Sequence, residues 1–151
     1  EKLAVSCGGC LEGVKHLVLA PKDTSEARAD FERTVHFLES VPLFKKQLPK
    51  AELPKVARDL QRLCWEPNQT LIKQGDLGRA FFLIQSGEAS VRMTMNDGTE
   101  KQLASLFAGD YFGGHTLNSE RPNVASITAK GPGTLVTLSM SRKAWEGSGL
   151  N

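Results

Sequence analysis

The chain has 151 residues, 40% of them hydrophobic, with 19 lysines and arginines against 17 aspartates and glutamates. That length fits one domain with a real core, and a formal charge of +2 lacks the basic excess that nucleic-acid or anionic-membrane binding demands. No apolar run approaches the ~18 residues of a membrane span and the Glu1-Lys2 start lacks a signal-peptide layout, so a cytosolic protein or a fragment of one is expected, membrane association being left to a parent chain.

In chain order, residues 1–25 contain Gly8, Gly9, Gly13 and Pro21, which predicts a linker or docking segment where any helix around Leu11 to Leu19 is short. Cys7-Gly8-Gly9-Cys10 has the gap of a zinc or redox pair, but a structural zinc needs four ligands and no second pair follows. With Cys64 the cysteine count is odd and His16, His36 and His115 are scattered, so reduced thiols and no metal site are expected.

Phe31, Val35 and Leu38 fall on one helical face, with Glu26 and Glu32 toward its positive N-terminal end, which predicts a helix over 26–40. Pro42 ends it, Leu43-Phe44 packs back, and 49–63 holds a second helix with Leu53, Val56, Ala57 and Leu60 buried and Pro54 in its first turn. After Cys64-Trp65 the pattern becomes short apolar runs at 70–72, 80–85, 89–94, 101–107, 124–129 and 134–139, separated by turn residues, the habit of an antiparallel sandwich or barrel. Asn96-Asp97-Gly98 is the strongest hairpin signal, because glycine supplies positive φ without steric cost. Phe81, Phe82, Phe107 and Phe112 are read as core, Trp65 and Trp145 as packing residues, and Ser141 as the N-cap of a final helix carrying Ala144 and Trp145. The fold class is therefore α+β, mainly β: helices within 26–63, an antiparallel β-roll or jelly-roll barrel over 64–140, and the start of a C-terminal helix at 141–151, together one domain over 26–151.

Five motifs in order carry a resemblance: Pro42-Leu43-Phe44, Gln74-Gly75-Asp76, the run Phe81 to Glu88, Gly109-Asp110-Tyr111-Phe112-Gly113, and Ala125-Ser126-Ile127-Thr128-Ala129. Together they resemble the cyclic-nucleotide-binding domain family over about residues 30–147, and Asp110-Tyr111-Phe112-Gly113 is most similar to regulatory domains of cGMP-dependent protein kinases of the multi-domain protist type. The resemblance implies a phosphate-binding cassette comprising Phe112, Gly113, Gly114, His115, Thr116, Leu117, Arg121, Asn123, Val124 and Ala125. A short helix in it offers backbone N–H groups to the cyclic phosphate, a glutamate after Phe-Gly holds the ribose, and an arginine beyond the helix pairs with the phosphate. In this chain the glutamate position is Gly114, the arginine position is Asn123, and the hydroxyl position that reads guanine is Val124. Arg121 could reach the phosphate only if the loop were re-registered, since it precedes Pro122, Glu120 would repel the phosphate, and His115 could donate to it if protonated, although an ordinary imidazole is mostly neutral near neutral pH.

The resemblance thus implies a degenerate cassette in which cGMP and cAMP bind weakly or not at all, so no cofactor is expected. The module would be non-catalytic, relaying conformational change between neighbouring cyclic-nucleotide-binding and kinase domains of the same chain. A sensor of cGMP, of cAMP or of an uncharged nucleoside-like ligand is the alternative. Catalysis is not expected: there is no paired acid and base, no Gly-x-Ser-x-Gly elbow, no Walker loop and no kinase Asp-Phe-Gly motif.

Overall fold

The computed structural model describes residues 3–6, 17–20, 24–119 and 121–150. Two antiparallel sheets lie under an N-terminal group of helices, and they do not close into a barrel. One sheet runs β1 (Leu3–Ser6), β2 (Leu17–Ala20), β3 (Gln61–Trp65), β10 (Leu135–Ser141), β5 (Ala80–Ser86), β8 (Tyr111–Phe112); the other runs β4 (Thr70–Ile72), β9 (Ser126–Ala129), β6 (Ala89–Thr94), β7 (Glu100–Leu106). The helices are α1 (Thr24–Ser40), α2 (Pro42–Gln47), a 3₁₀ turn at Lys50–Glu52, α3 (Leu53–Asp59), α4 (Gly114–Ser119) and α5 (Arg142–Glu146). Among the described residues no helix is long and apolar enough to cross a membrane.

Strand β5 explains why there are two cores. Its apolar run is buried on both faces, as a continuous rather than alternating pattern requires. Phe81 and Leu83 join Leu38, Val41, Phe44, Val56 and Trp145 beneath the helices, while Ala80, Phe82 and Ile84 join Trp65, Leu71, Ile127 and Leu135 between the sheets. Leu38, fully buried on α1, alone removes apolar surface worth about 1.5–3 kcal/mol. The inter-sheet core also holds two polar side chains that are fully satisfied: the Trp65 indole N–H donates to Thr137 Oγ1 at 3.0 Å, and Thr137 and Ser139 share a bond at 2.9 Å. A second polar tie fixes the helices to the roll. Arg62, only 10% exposed, pairs with Asp30 and donates to Gln85 Oε1 at 2.9 Å and Thr34 Oγ1 at 3.2 Å.

Several boundaries differ from expectation for identifiable reasons. The helix expected to reach 63 stops at Asp59, because Leu60 turns extended and 61–65 pairs with β10. Pro42 does end α1, but it also opens α2, where its fixed φ and missing N–H suit a first turn. Residues 17–19, expected in or near a short helix, lie in β2, and 3–6 form β1; this hairpin extends the first sheet through Leu17↔Cys64 and Val18↔Leu63. Cys7, Cys10 and His16 fall outside the described residues. Phe107, read as core, is 53% exposed, since the chain turns there and its N–H is taken by Asp110 Oδ2 at 2.8 Å. Ser141 caps α5 as expected, accepting from the Ala144 N–H, and the Asp97-Gly98 turn closes the β6–β7 hairpin with Gly98 at φ 88°.

Candidate functional site

The cassette begins where β8 hydrogen-bonds to β5 through Phe82↔Phe112 and Leu83↔Tyr111. Phe112 lies flat on Phe82, with ring centroids 5.1 Å apart and planes at 19°, while Phe82 meets Trp65 edge-on at 6.0 Å. Gly113 follows at φ 96°, and a Cβ there would stand 2.3 Å from the Ala80 carbonyl oxygen. Only glycine fits that crossing, both for its dihedral and for its closeness.

The backbone then enters α4. Gly114, its first residue, is buried, and a Cβ would meet Cζ2 and Cη2 of Trp145, both at 2.9 Å. The Trp145 indole in turn stacks on Phe81 at 4.8 Å and 23°. The space into which the family's ribose-binding glutamate would project from residue 114 therefore lies against an aromatic pair. Leu117 is buried in the helix-side core, and its carbonyl accepts from Arg142 Nη1 at 2.9 Å while Nη2 reaches the Gly78 carbonyl at 3.0 Å. One guanidinium thus ties the cassette helix, the β4–β5 turn and α5 together. His115 and Thr116 lie in α4 with side chains outside the described set, and Glu120 is outside the described residues.

Past the helix, Arg121 and Pro122 are exposed, with Pro122 bridged to Leu77. Asn123 is the buried residue of this loop, 8% exposed. Its Nδ2 donates to the Lys73 carbonyl at 3.1 Å, its N–H to the Asp76 carbonyl at 2.8 Å, and its carbonyl accepts from Gly75 N–H at 2.8 Å. Asn123 is thus a staple closing the β4–β5 turn. Ser126 Oγ reinforces the staple by accepting from Gln74 N–H at 2.9 Å. Val124 points to solvent at 72% exposure, and Ala125 is buried.

A cavity of about 230 Å³ opens beside Asn123. Leu71, Ala80 and Phe82 form its buried floor, and Lys73, Asp76 and Arg79 its exposed rim. Of the cassette residues expected at the site, Asn123 lines this cavity and Phe112 braces its floor from behind, whereas Gly114 and Leu117 face the helix-side core and Arg121 does not line it. Sequence reading missed Lys73, Arg79, Arg142 and the Trp145–Gly114 contact. Lys73 and Arg79 do flank the Gln74-Gly75-Asp76 motif, which was the available signal. Among the described residues no cluster of three or more His, Cys, Asp or Glu side chains could hold a metal.

The family model for the cyclic nucleotide-binding domain matches residues 62–145. A cAMP-dependent protein kinase regulatory subunit from Blastocladiella emersonii is 38% identical over 108 residues, which is 72% of this chain and 26% of the relative. A cGMP-dependent protein kinase, isozyme 1, from Drosophila melanogaster is 38% identical over 104 residues, covering 68% of this chain and 13% of the relative. The chain therefore spans about a quarter or less of these curated relatives. Among solved structures, the regulatory domain of Toxoplasma gondii PKA with cAMP superposes at TM-score 0.75 with 25% identity, covering 82% of this chain and 47% of that one. The regulatory subunit of a cAMP-independent protein kinase A from Trypanosoma brucei superposes at 0.73 with 27% identity, covering 82% and 44%. That crystallised form carries three substitutions, two of which exchange an adjacent threonine and valine for arginine and alanine, and it is bound to cAMP in its A site.

Proposed function

Since this chain belongs to the cyclic nucleotide-binding domain family and is homologous to regulatory domains of cyclic-nucleotide-dependent protein kinases, we propose that it is a non-catalytic regulatory module that binds cAMP and cGMP weakly or not at all. Its work would be relay: bracing conformational change between neighbouring cyclic-nucleotide-binding and kinase domains through interfaces. The observation that carries this reading is Asn123, uncharged, buried and already committed to the Lys73 carbonyl at the position where the family places its phosphate arginine. Gly114 beneath Trp145 adds the loss of the ribose carboxylate. Each missing charge-assisted bond costs about 1.5–3 kcal/mol, so two weaken binding by roughly 10²- to 10⁴-fold if they add.

The trypanosome protein supports the reading, because a regulatory subunit described as cAMP-independent shares this fold, and its form bound to cAMP carries an introduced arginine and alanine. On the type of the parent kinase two signals differ: the Asp110-Tyr111-Phe112-Gly113 wording resembles cGMP-dependent kinases, whereas most of the matching relatives are cAMP-dependent protein kinase regulatory subunits. Val124 supplies no hydroxyl to tell the bases apart. Calorimetric titration with cAMP and cGMP is expected to give millimolar dissociation constants or no heat, and a low-micromolar constant would overturn the proposal. A second reading is favoured by the cavity at Asn123, whose apolar floor and polar rim have the make-up of a small-molecule site: a sensor for a ligand other than a cyclic nucleotide, such as a nucleoside.

A further inference from the structure

Residue 114 has no side chain, and the space a side chain would need there is filled from elsewhere in the chain. A Cβ at 114 would stand 2.9 Å from Cζ2 and Cη2 of Trp145, so a side chain at 114 and the indole in its present place exclude each other. The indole is 4% exposed, stacks on Phe81, and shares one buried core with Leu117 of α4, so the cassette helix and α5 rest on common packing. Arg142 adds a polar tie: Nη1 donates to the Leu117 carbonyl at 2.9 Å and Nη2 to the Gly78 carbonyl at 3.0 Å. Carbonyls in the last turn of a helix lack a partner within it, so Leu117 gains from Arg142 a charge-assisted bond that α4 cannot supply.

We infer that Trp145 and Arg142 form a built-in latch, which holds α5 and the cassette helix α4 together as one body without any nucleotide, and that the bare Gly114 is what admits it. The inference rests on the relay reading above and deepens it: the module transmits position as a rigid strut, with no ligand-driven step between cassette and C-terminal helix.

Three features make the latch independent of ligand. Each contact just described joins two parts of this chain. The residues after α5 are also tied down: the Ser148 N–H and hydroxyl both donate to the Trp145 carbonyl, at 3.1 and 2.7 Å, the Leu150 N–H donates to Ser148 Oγ at 3.1 Å, and Leu150 is buried in the same core as Trp145. Finally, the latch and the cavity beside Asn123 lie on opposite faces of β5, since Phe81 turns toward Trp145 and Phe82 toward the inter-sheet core that floors the cavity. Neither Trp145 nor Arg142 lines that cavity. A ligand shifts an equilibrium only by its differential affinity for the two states, so one that touches neither latch side chain leaves the latch closed.

The test is residue-resolved amide exchange by NMR on the 151-residue chain, with and without millimolar cAMP, repeated with Arg142→Gln, Arg142→Lys and Trp145→Leu. The reporters are the Leu117 N–H, bonded to the Gly113 carbonyl in α4, and the Gly147 and Ser148 N–H groups, bonded to the Lys143 and Trp145 carbonyls at α5. Amides of β10, which is paired on both edges, are the internal reference for the fold. Arg142→Gln is expected to speed exchange at Leu117, Gly147 and Ser148 together, roughly tenfold or more, with β10 unchanged. Arg142→Lys should keep part of the protection, because it retains the charge but not the fork, and it serves if Trp145→Leu unfolds the chain. Addition of cAMP should move none of the reporters. Faster exchange in α5 with Leu117 unmoved, or the reverse, makes them separate bodies and overturns the latch while leaving weak nucleotide binding standing. A low-micromolar cAMP affinity with unmoved reporters overturns the proposed weak binding and leaves the latch. Binding that shifts the α4 and α5 reporters overturns both, since the module is then a ligand-gated switch.

Discussion

A methyl group at residue 114 would stand 2.9 Å from two ring carbons of Trp145 and 3.6 Å from Cδ1 of Phe81. Carbons in good contact sit about 3.5–4.0 Å apart, so the indole must retreat by roughly 0.6 Å or more. It has little room to do so: Trp145 is 4% exposed, stacked on Phe81, and carried by a short helix whose first residue, Arg142, is bonded to two carbonyls. Overpacking of this kind costs about 1–3 kcal/mol, against a gain of up to ~1 kcal/mol for replacing glycine within a helix, less at a first helical position. Gly114→Ala is therefore expected to destabilise by about 1–2 kcal/mol, a melting temperature lower by roughly 2–8 °C for a chain of this size. Gly114→Glu should lose more, since it also drives a carboxylate toward apolar surface. Trp145→Leu vacates the space, so the pair Gly114→Ala with Trp145→Leu should be less destabilised than the sum of its parts, by a coupling of about 1 kcal/mol. Thermal and urea unfolding of the four proteins measures the cycle. Gly114→Ala melting at or above the parent, or effects adding to within about 0.3–0.5 kcal/mol, would refute the reasoning. Success would mean that restoring the family's glutamate here requires changing Trp145 as well.

Asn123→Ala should cost about 1–2 kcal/mol by leaving the Lys73 carbonyl without its amide donor, read as a lower urea midpoint. Asn123→Arg with Val124→Ala is expected to raise cAMP affinity by at least tenfold over the parent, seen by calorimetry. Arg62→Ala strands Asp30 beside the roll and should destabilise by about 3–5 kcal/mol, more than Asp30→Asn with Arg62→Met together. The Asp97 carboxyl is held below its usual value by hydrogen bonds from the Thr99 hydroxyl and amide. Its support of the hairpin is thus present above the unfolded value of about 3.9 and lost as pH falls through the lower folded one. Thr99 amide protection should weaken over that acid range in the parent and show no such dependence in Asp97→Asn. Burial, and secondarily the charge of Glu66, push the Cys64 thiol up, so with Cys7 and Cys10 changed to serine Cys64 should label slowly at neutral pH and quickly once unfolded.

What could be read from the sequence was local. The Phe31, Val35, Leu38 stripe, the unbroken apolar run of β5 and the Asp97-Gly98 turn each state their structure within a few residues, and each is found as read. Strand β3 was hidden because Leu53, Val56, Ala57 and Leu60 keep helical spacing up to its edge, and only pairing with distant β10 makes 61–65 extended. Strand β8 has two residues, too few to show a period. Within the stretch 112–125, residue identities could be read one by one, but their surroundings could not. That Gly114 lies beneath Trp145, or that Arg79 shares a cavity with Asn123, depends on elements brought together from far apart in the chain.

Gly113 has a wider consequence. The strand-to-helix crossing leaves 2.3 Å between a would-be side chain and the Ala80 carbonyl, with no ligand involved. The Phe-Gly step is therefore demanded by how two stretches of backbone cross, whatever the pocket holds. A search keyed to that dipeptide retrieves chains by architectural necessity, and so gathers silent members of the fold alongside responsive ones. Separating them calls for the residues with no architectural duty, and Asn123 shows how such a residue can acquire one.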